Sequence, residues 1–236
     1  VASVTTIARE RVYFAWLAAA ILAMTVAGFL RTYFLVPLLG LPEGSLAPTT
    51  FVHVHGAIAF SWCVLLLVQS CLVIAGKVQA HRKLGAVGFL LYLGLVFTGP
   101  VVAVRSVARY GSPPEELAFL AVSLGNVVAY TLILGAAFHF RHRPAIHKRL
   151  MMLGMVVLLT APFGRLLDLP YQLAHVVGPG LVVVALVAWD WRSLGKVSRL
   201  TLLLGPAVLL WELAPNLYME SEWWLSVSRS LVGLAA

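Results

Sequence analysis

The segment Phe51-Val-His-Val-His-Gly-Ala-Ile-Ala-Phe-Ser-Trp62 opens an apolar run that continues through Gln69 to Gly76 and then meets His81-Arg-Lys-Leu-Gly85. The run has the length of one helical membrane crossing. His55, Trp62 and Gln69 recur every seven residues along it. Seven residues is close to two helical turns, so the three side chains drift only about 40° around the axis in total. An imidazole, an indole and an amide on one line cannot face lipid without a large cost. The line therefore predicts a face turned into a helix bundle.

The rest of the chain repeats this pattern of long apolar runs. Its 236 residues are 61% hydrophobic and 11% charged, with a mean hydropathy of +0.94. A soluble domain of that length needs far more charge to cover its surface. Seven runs are long enough to cross the hydrocarbon, roughly 12–37, 51–75, 83–107, 117–139, 150–167, 174–191 and 198–214. They predict an all-α, polytopic transmembrane helix bundle. The first run is too long for a signal peptide's apolar region and is kept as a helix. The tail, 221–236, carries Trp223, Trp224 and Arg229. It reads as an interfacial helix, or as an eighth span if it crosses. Loops are short, so residues 1–236 are expected to form a single transmembrane domain.

Charge gives the expected orientation. With the N-terminus inside, the inner segments hold 12 basic residues and two acids, Glu10 and Asp190, and the outer side keeps five basic residues and seven acids. That asymmetry follows the positive-inside rule and predicts a cytoplasmic N-terminus; the membrane expected is a bacterial inner (cytoplasmic) one. The basic pI is thus a sign of loops beside the lipid bilayer, with no nucleic acid partner implied. Cys63 and Cys71 form neither a disulfide framework nor a CxxC motif.

The histidines fall into two groups by expected depth. The outer group has His53 and His55 at the start of the second run and His175 at the start of the sixth. Arg31, Arg105 and Arg165 sit near the outer ends of the first, third and fifth runs, with Asp168 and Glu212 nearby. Such a set suits a metal or haem iron with arginines neutralising anionic groups, an anionic substrate, or a quinone head group. Each arginine reads equally as one that snorkels to the headgroups. His53 points roughly 200° away from His55 on a regular helix. It is expected at the interface, becoming a co-ligand only if the helix end frays. His55 shares the face of Trp62 and Gln69 and reads as a ligand or as a structural helix-to-helix hydrogen bond.

The inner group holds a weak internal repeat. His81-Arg-Lys-Leu-Gly-Ala-Val-Gly88 and His147-Lys-Arg-Leu-Met-Met-Leu-Gly154 align without gaps at an offset of 66. Small residues on the same face as each histidine permit close approach of a helix or of a flat macrocycle. Haem b needs two axial donors and no covalent attachment motif, whereas imidazole also suits Cu, Fe and Zn.

Phe51-Val-His-Val-His-Gly, Trp62, Gln69, His81-Arg-Lys-Leu-Gly, His147-Lys-Arg-Leu-Met and Arg165 together resemble a widespread group of uncharacterised bacterial multi-pass membrane proteins with the pattern HLHG, HRRLG, HKRLM. The chain is more distantly similar to predicted bacterial membrane proteins with HRxxG, HxxWM and a later Arg, although Leu150 stands in place of the Trp. His55, Gln69 and His81-Arg82 with Gly85 also resemble the cytochrome b561 type. That likeness implies bis-histidine haem b carrying electrons across a membrane; the later histidines of that family do not map cleanly here.

These readings converge on one expectation. It is an integral membrane redox protein holding haem b or another His-ligated metal, with His55 and His175 at an outer centre and His81 and His147 at an inner one. The electron partner would be a quinone or a protein. Two alternatives stand beside it: an accessory subunit among other membrane protein subunits of a larger respiratory or photosynthetic complex, and a non-haem metal-dependent membrane enzyme.

Overall fold

The computed structural model describes residues 4–167 and 171–234, apart from the side chains of 4–6, 171, 172, 174 and 175. Those residues are helical with short connections. Helix α1 (Val4–Phe29) continues through a π-helical turn, Leu30–Phe34, into the short α2 (Val36–Leu39). There follow α3 (Thr50–Ile74), α4 (Val78–Arg109), α5 (Pro114–His139), α6 (Pro144–Val156), α7 (Thr160–Leu167), α8 (Tyr171–Leu194), α9 (Arg199–Leu213) and α10 (Glu222–Gly233).

Among the described residues, six helical segments are long and apolar enough to cross a membrane: Ile7–Leu39, Thr50–Ile74, Val78–Arg109, Pro114–His142, Val176–Leu194 and Arg199–Leu217. Large apolar side chains such as Trp16, Leu90, Phe97, Leu132 and Leu203 are exposed on their outer faces. Water would penalise such a surface and lipid does not.

The fifth expected run is not one helix. It is α6 and α7, bent by 46° across Val157–Leu159. Pro162 explains the break, because it has no N–H to give the carbonyl of Leu158 four residues back. The amides of Leu158 and Leu159 turn instead to the carbonyls of Met155 and Val156, three residues back, at 3.1 and 3.0 Å. Gly28 lets α1 close onto this bend, since a Cβ there would overlap Pro162.

Helix α6 is the central post. Arg149 through Val157 are buried without interruption, the pattern of a helix enclosed on every face. It packs against α1, α5, α8 and α9.

The tail differs from an eighth span. Helix α10 has 12 residues, about 18 Å of rise against roughly 30 Å of hydrocarbon. It is docked on α4 and α5 with Trp224, Leu225, Ser228 and Val232 buried. Trp224 Nε1 donates to the Leu117 carbonyl at 3.1 Å, and the Ser221 side chain caps the helix by accepting from the Trp224 amide.

Candidate functional site

The repeat read from sequence is a repeat of position in the fold. Val78 and Pro144 begin α4 and α6 at the same offset as the motifs, so His81 and His147 are each the fourth residue of their helix. Each helix follows a tight reversal from its predecessor, and each imidazole reaches back to a carbonyl of that preceding helix. His147 Nδ1 donates to Ala137 O at 2.8 Å, and His81 Nδ1 points to Gln69 O at 3.4 Å. A carbonyl can only accept, so both Nδ1 atoms carry the proton and both Nε2 atoms keep a lone pair. A metal-binding histidine is prepared in the same way. The two rings lie 6.5 Å apart between centroids, with planes at 86°.

Both rings line one cavity of about 940 Å³, bounded by α1, α3, α4, the end of α5 and α6. Its apolar wall includes Phe14, Trp62, Phe89, Phe138 and Met151. Arg11, Arg82, Arg141 and Lys148 also line it, against one acid, Glu10. Glu10 pairs with Lys148 at 2.5 Å. Arg11 and Arg141 reach the carbonyls of Val73 and Phe138 at 3.5 and 3.3 Å. A net positive lining beside an apolar wall suits an amphiphile with acidic groups.

The line His55–Trp62–Gln69 does face protein. Trp62 is buried with Nε1 donating to Met155 Sδ at 2.8 Å, which ties α3 to the central post. Gln69 Nε2 donates to His81 O at 3.1 Å, and its Oε1 is buried without a partner. Gly88 keeps α3 and α4 close, because a Cβ there would lie 3.3 Å from Leu65 Cδ2 and 3.6 Å from Trp62.

The other end of the bundle gathers its residues differently from the sequence expectation. Thr98 gives its hydroxyl proton to Gly94 O at 2.7 Å, so His55 Nδ1 donates to the Thr98 oxygen at 2.8 Å. That is the helix-to-helix hydrogen bond, between α3 and α4. His53 shares a 2.6 Å hydrogen bond with the Tyr33 hydroxyl, so the two histidines serve different neighbours. Arg31 donates to Gly40 O at 2.9 Å. Arg105 sits 5.6 Å from the Phe51 ring centroid, and Arg165 4.8 Å from that of Phe29. These three arginines are exposed and do not converge on His55. The side chain of His175 and the whole of Asp168 lie outside the described residues.

Two polar groups are buried in the core, of which the first was not anticipated and the second contains Glu212 from the expected outer set. Arg149 and Asp190 form a salt bridge in the core, 3% and 1% exposed. Asp190 also accepts from Thr201 Oγ1 at 2.6 Å and from the Ser198 amide at 3.1 Å. Both charges read as loop charges because they neighbour basic segments; the one available signal was Asp190 standing alone between Trp189 and Trp191. The second group, Asn126, Thr160 and Glu212, lies at the α6–α7 break.

Comparison with protein-family models, curated proteins and solved structures gives no match. Among the described residues, no three His, Cys, Asp or Glu side chains gather where they could hold a metal ion. A metal held by protein donors alone takes three or four of them. The His81–His147 pair supplies two.

Proposed function

We propose that the protein is a membrane redox protein that holds one haem b between His81 and His147 and exchanges electrons with a quinone or a protein partner. The observation that carries this reading is the histidine pair. Two imidazoles holding one metal between them, with metal–nitrogen bonds of about 2.0 Å, would have centroids roughly 6.3 Å apart. The rings of His81 and His147 are 6.5 Å apart on a shared cavity.

The donor set favours haem over bare Cu, Fe or Zn. A porphyrin brings four nitrogens of its own and asks the protein for two. The cavity lining fits the remainder of the group. Arg11, Arg82 and Arg141 would neutralise propionates, while Trp62, Phe89 and Phe138 would wall the ring from water. Bound there, haem supplies a one-electron couple. His81 and His147 would hold the group, their rings oriented by the Gln69 and Ala137 carbonyls.

The wider reading has α6–α7 as one bent crossing, which makes seven spans, in a bacterial inner membrane with the N-terminus cytoplasmic. The concentration of basic residues at the His81–His147 end supports that orientation. It puts the haem near the cytoplasmic face, where a partner would meet it. The likeness of His81-Arg82 and Gly85 to the cytochrome b561 type points the same way, with a single haem here.

The test is an absorption spectrum of gently purified protein, oxidised and then reduced with dithionite. We expect a Soret band that shifts on reduction and is lost in His81→Ala and in His147→Ala, while His55→Ala keeps it. No Soret band, together with no bound iron by elemental analysis, would refute the proposal.

A further inference from the structure

Away from the cavity, the break between α6 and α7 brings a carboxyl into the bundle. Glu212 on α9 is 1% exposed, and its Oε1 has no hydrogen-bond partner. Its Oε2 accepts from Thr160 Oγ1, the first side chain after the break, at 3.3 Å. Asn126 of α5 donates from Nδ2 to Thr160 Oγ1 at 3.4 Å and to the Val157 carbonyl, inside the break, at 3.2 Å. The polarity of this chain runs one way, from amide to hydroxyl to carboxyl.

We propose that Glu212 carries a proton at neutral pH and is an internal proton-binding site of this protein, seated at the helix break. Three features support it. First, the carboxyl's neighbours are the neutral Thr160 and Asn126 side chains. Among the described side chains, the titratable groups on the elements packed against α9 include Glu115, Glu116, Tyr130 and His139 of α5, Arg149 of α6 paired with Asp190 of α8, and Arg192 of α8. His147 and Lys148 face the cavity, and Arg165 of α7 is exposed over Phe29. Among the described residues none of them forms an ion pair with Glu212.

Second, a carboxylate oxygen left without any donor in a dry core is far more costly than a neutral carboxyl oxygen in the same place. Third, Asn126 turns its NH₂ toward the site, where a bound metal cation would want oxygen. Because Thr160 and the Val157 carbonyl both belong to the break, gain or loss of this proton acts directly on the bend. The site is independent of the haem reading and stands or falls by itself.

Infrared difference spectroscopy on the full chain in lipid at pH 7, wild type against Glu212→Gln, tests it. The expected result is the carbonyl stretch of a protonated carboxylic acid in the wild type, absent from the variant and unchanged when Na⁺ is replaced by choline. In Thr160→Ala the same band moves to higher frequency, because its hydrogen-bond donor is gone. A difference spectrum containing only carboxylate stretches would overturn the proposal, and Na⁺ sensitivity of those stretches would assign a cation site instead. Should Glu212→Gln fail to fold, the Thr160→Ala spectrum decides alone: an acid band that does not move, or no acid band, overturns it.

Discussion

Replacing Asp190 with alanine removes one half of a buried ion pair. Asp190 receives Arg149, the Thr201 hydroxyl and the Ser198 amide. Without it the Arg149 guanidinium, 3% exposed, keeps its own-helix contact to Ala145 O at 2.9 Å and a distant Glu10 carboxylate at 3.8 Å. Breaking a buried pair by deleting one partner costs roughly 3–5 kcal/mol, mostly because the other charge stays buried. Glu10 offsets part of that, so the expected loss is at the low end, about 3 kcal/mol, or on the order of 100-fold in the unfolding equilibrium. The assay is a denaturant titration in a mild detergent on four proteins: wild type, Asp190→Ala, Arg149→Met and the double variant. The double variant should be more stable than Asp190→Ala, because no charge is left stranded. The reasoning is refuted if Asp190→Ala unfolds with wild type, or if the double variant loses the full sum of the two singles.

Four further outcomes can be read in the same titration. Gly28→Ala would drive a Cβ into the Pro162 backbone and ring, for an expected loss of about 1–3 kcal/mol. Gly180→Ala meets nothing within 4 Å and should gain roughly 0.5–1 kcal/mol from the lost glycine entropy; equal effects at the two sites would contradict the packing described at the bend. His55→Ala loses one interhelical hydrogen bond, worth about 0.6 kcal/mol and at most roughly 1.7, so a collapse of the fold would give His55 a larger part. Trp224→Phe removes one hydrogen bond to the Leu117 carbonyl, which keeps its bond within α5, and should cost about 0.5–1.5 kcal/mol, whereas no change would mean that α10 is not docked.

The elements that follow from hydropathy were legible in advance. Length, apolar runs and Pro and Gly at the turns outlined the helices, because a crossing segment must satisfy its own backbone and therefore writes its length into the sequence. The inner histidines were legible as a pair for a related reason. The gap-free offset of 66 carries helix start, imidazole and glycine together, so the two motifs had to fall at equivalent places. What the offset could not supply was the partner carbonyl. His81 reaches back 12 residues and His147 ten, since the preceding helices are not part of the repeat.

The line of His55, Trp62 and Gln69 shows where the division falls. Its spacing alone determined that these side chains share one face and that the face turns into the bundle, because helical periodicity and the cost of polar groups in lipid leave no other arrangement. Which neighbour each one meets was decided only by the packing of other helices: Thr98 for His55, Met155 for Trp62, the His81 carbonyl for Gln69. The same packing gathered the cavity at the His81–His147 end and dispersed the residues that sequence had grouped around His55. Depth in the membrane is a one-dimensional property that hydropathy encodes. Convergence of side chains depends on helix rotation and adjacency, which no single run of residues contains.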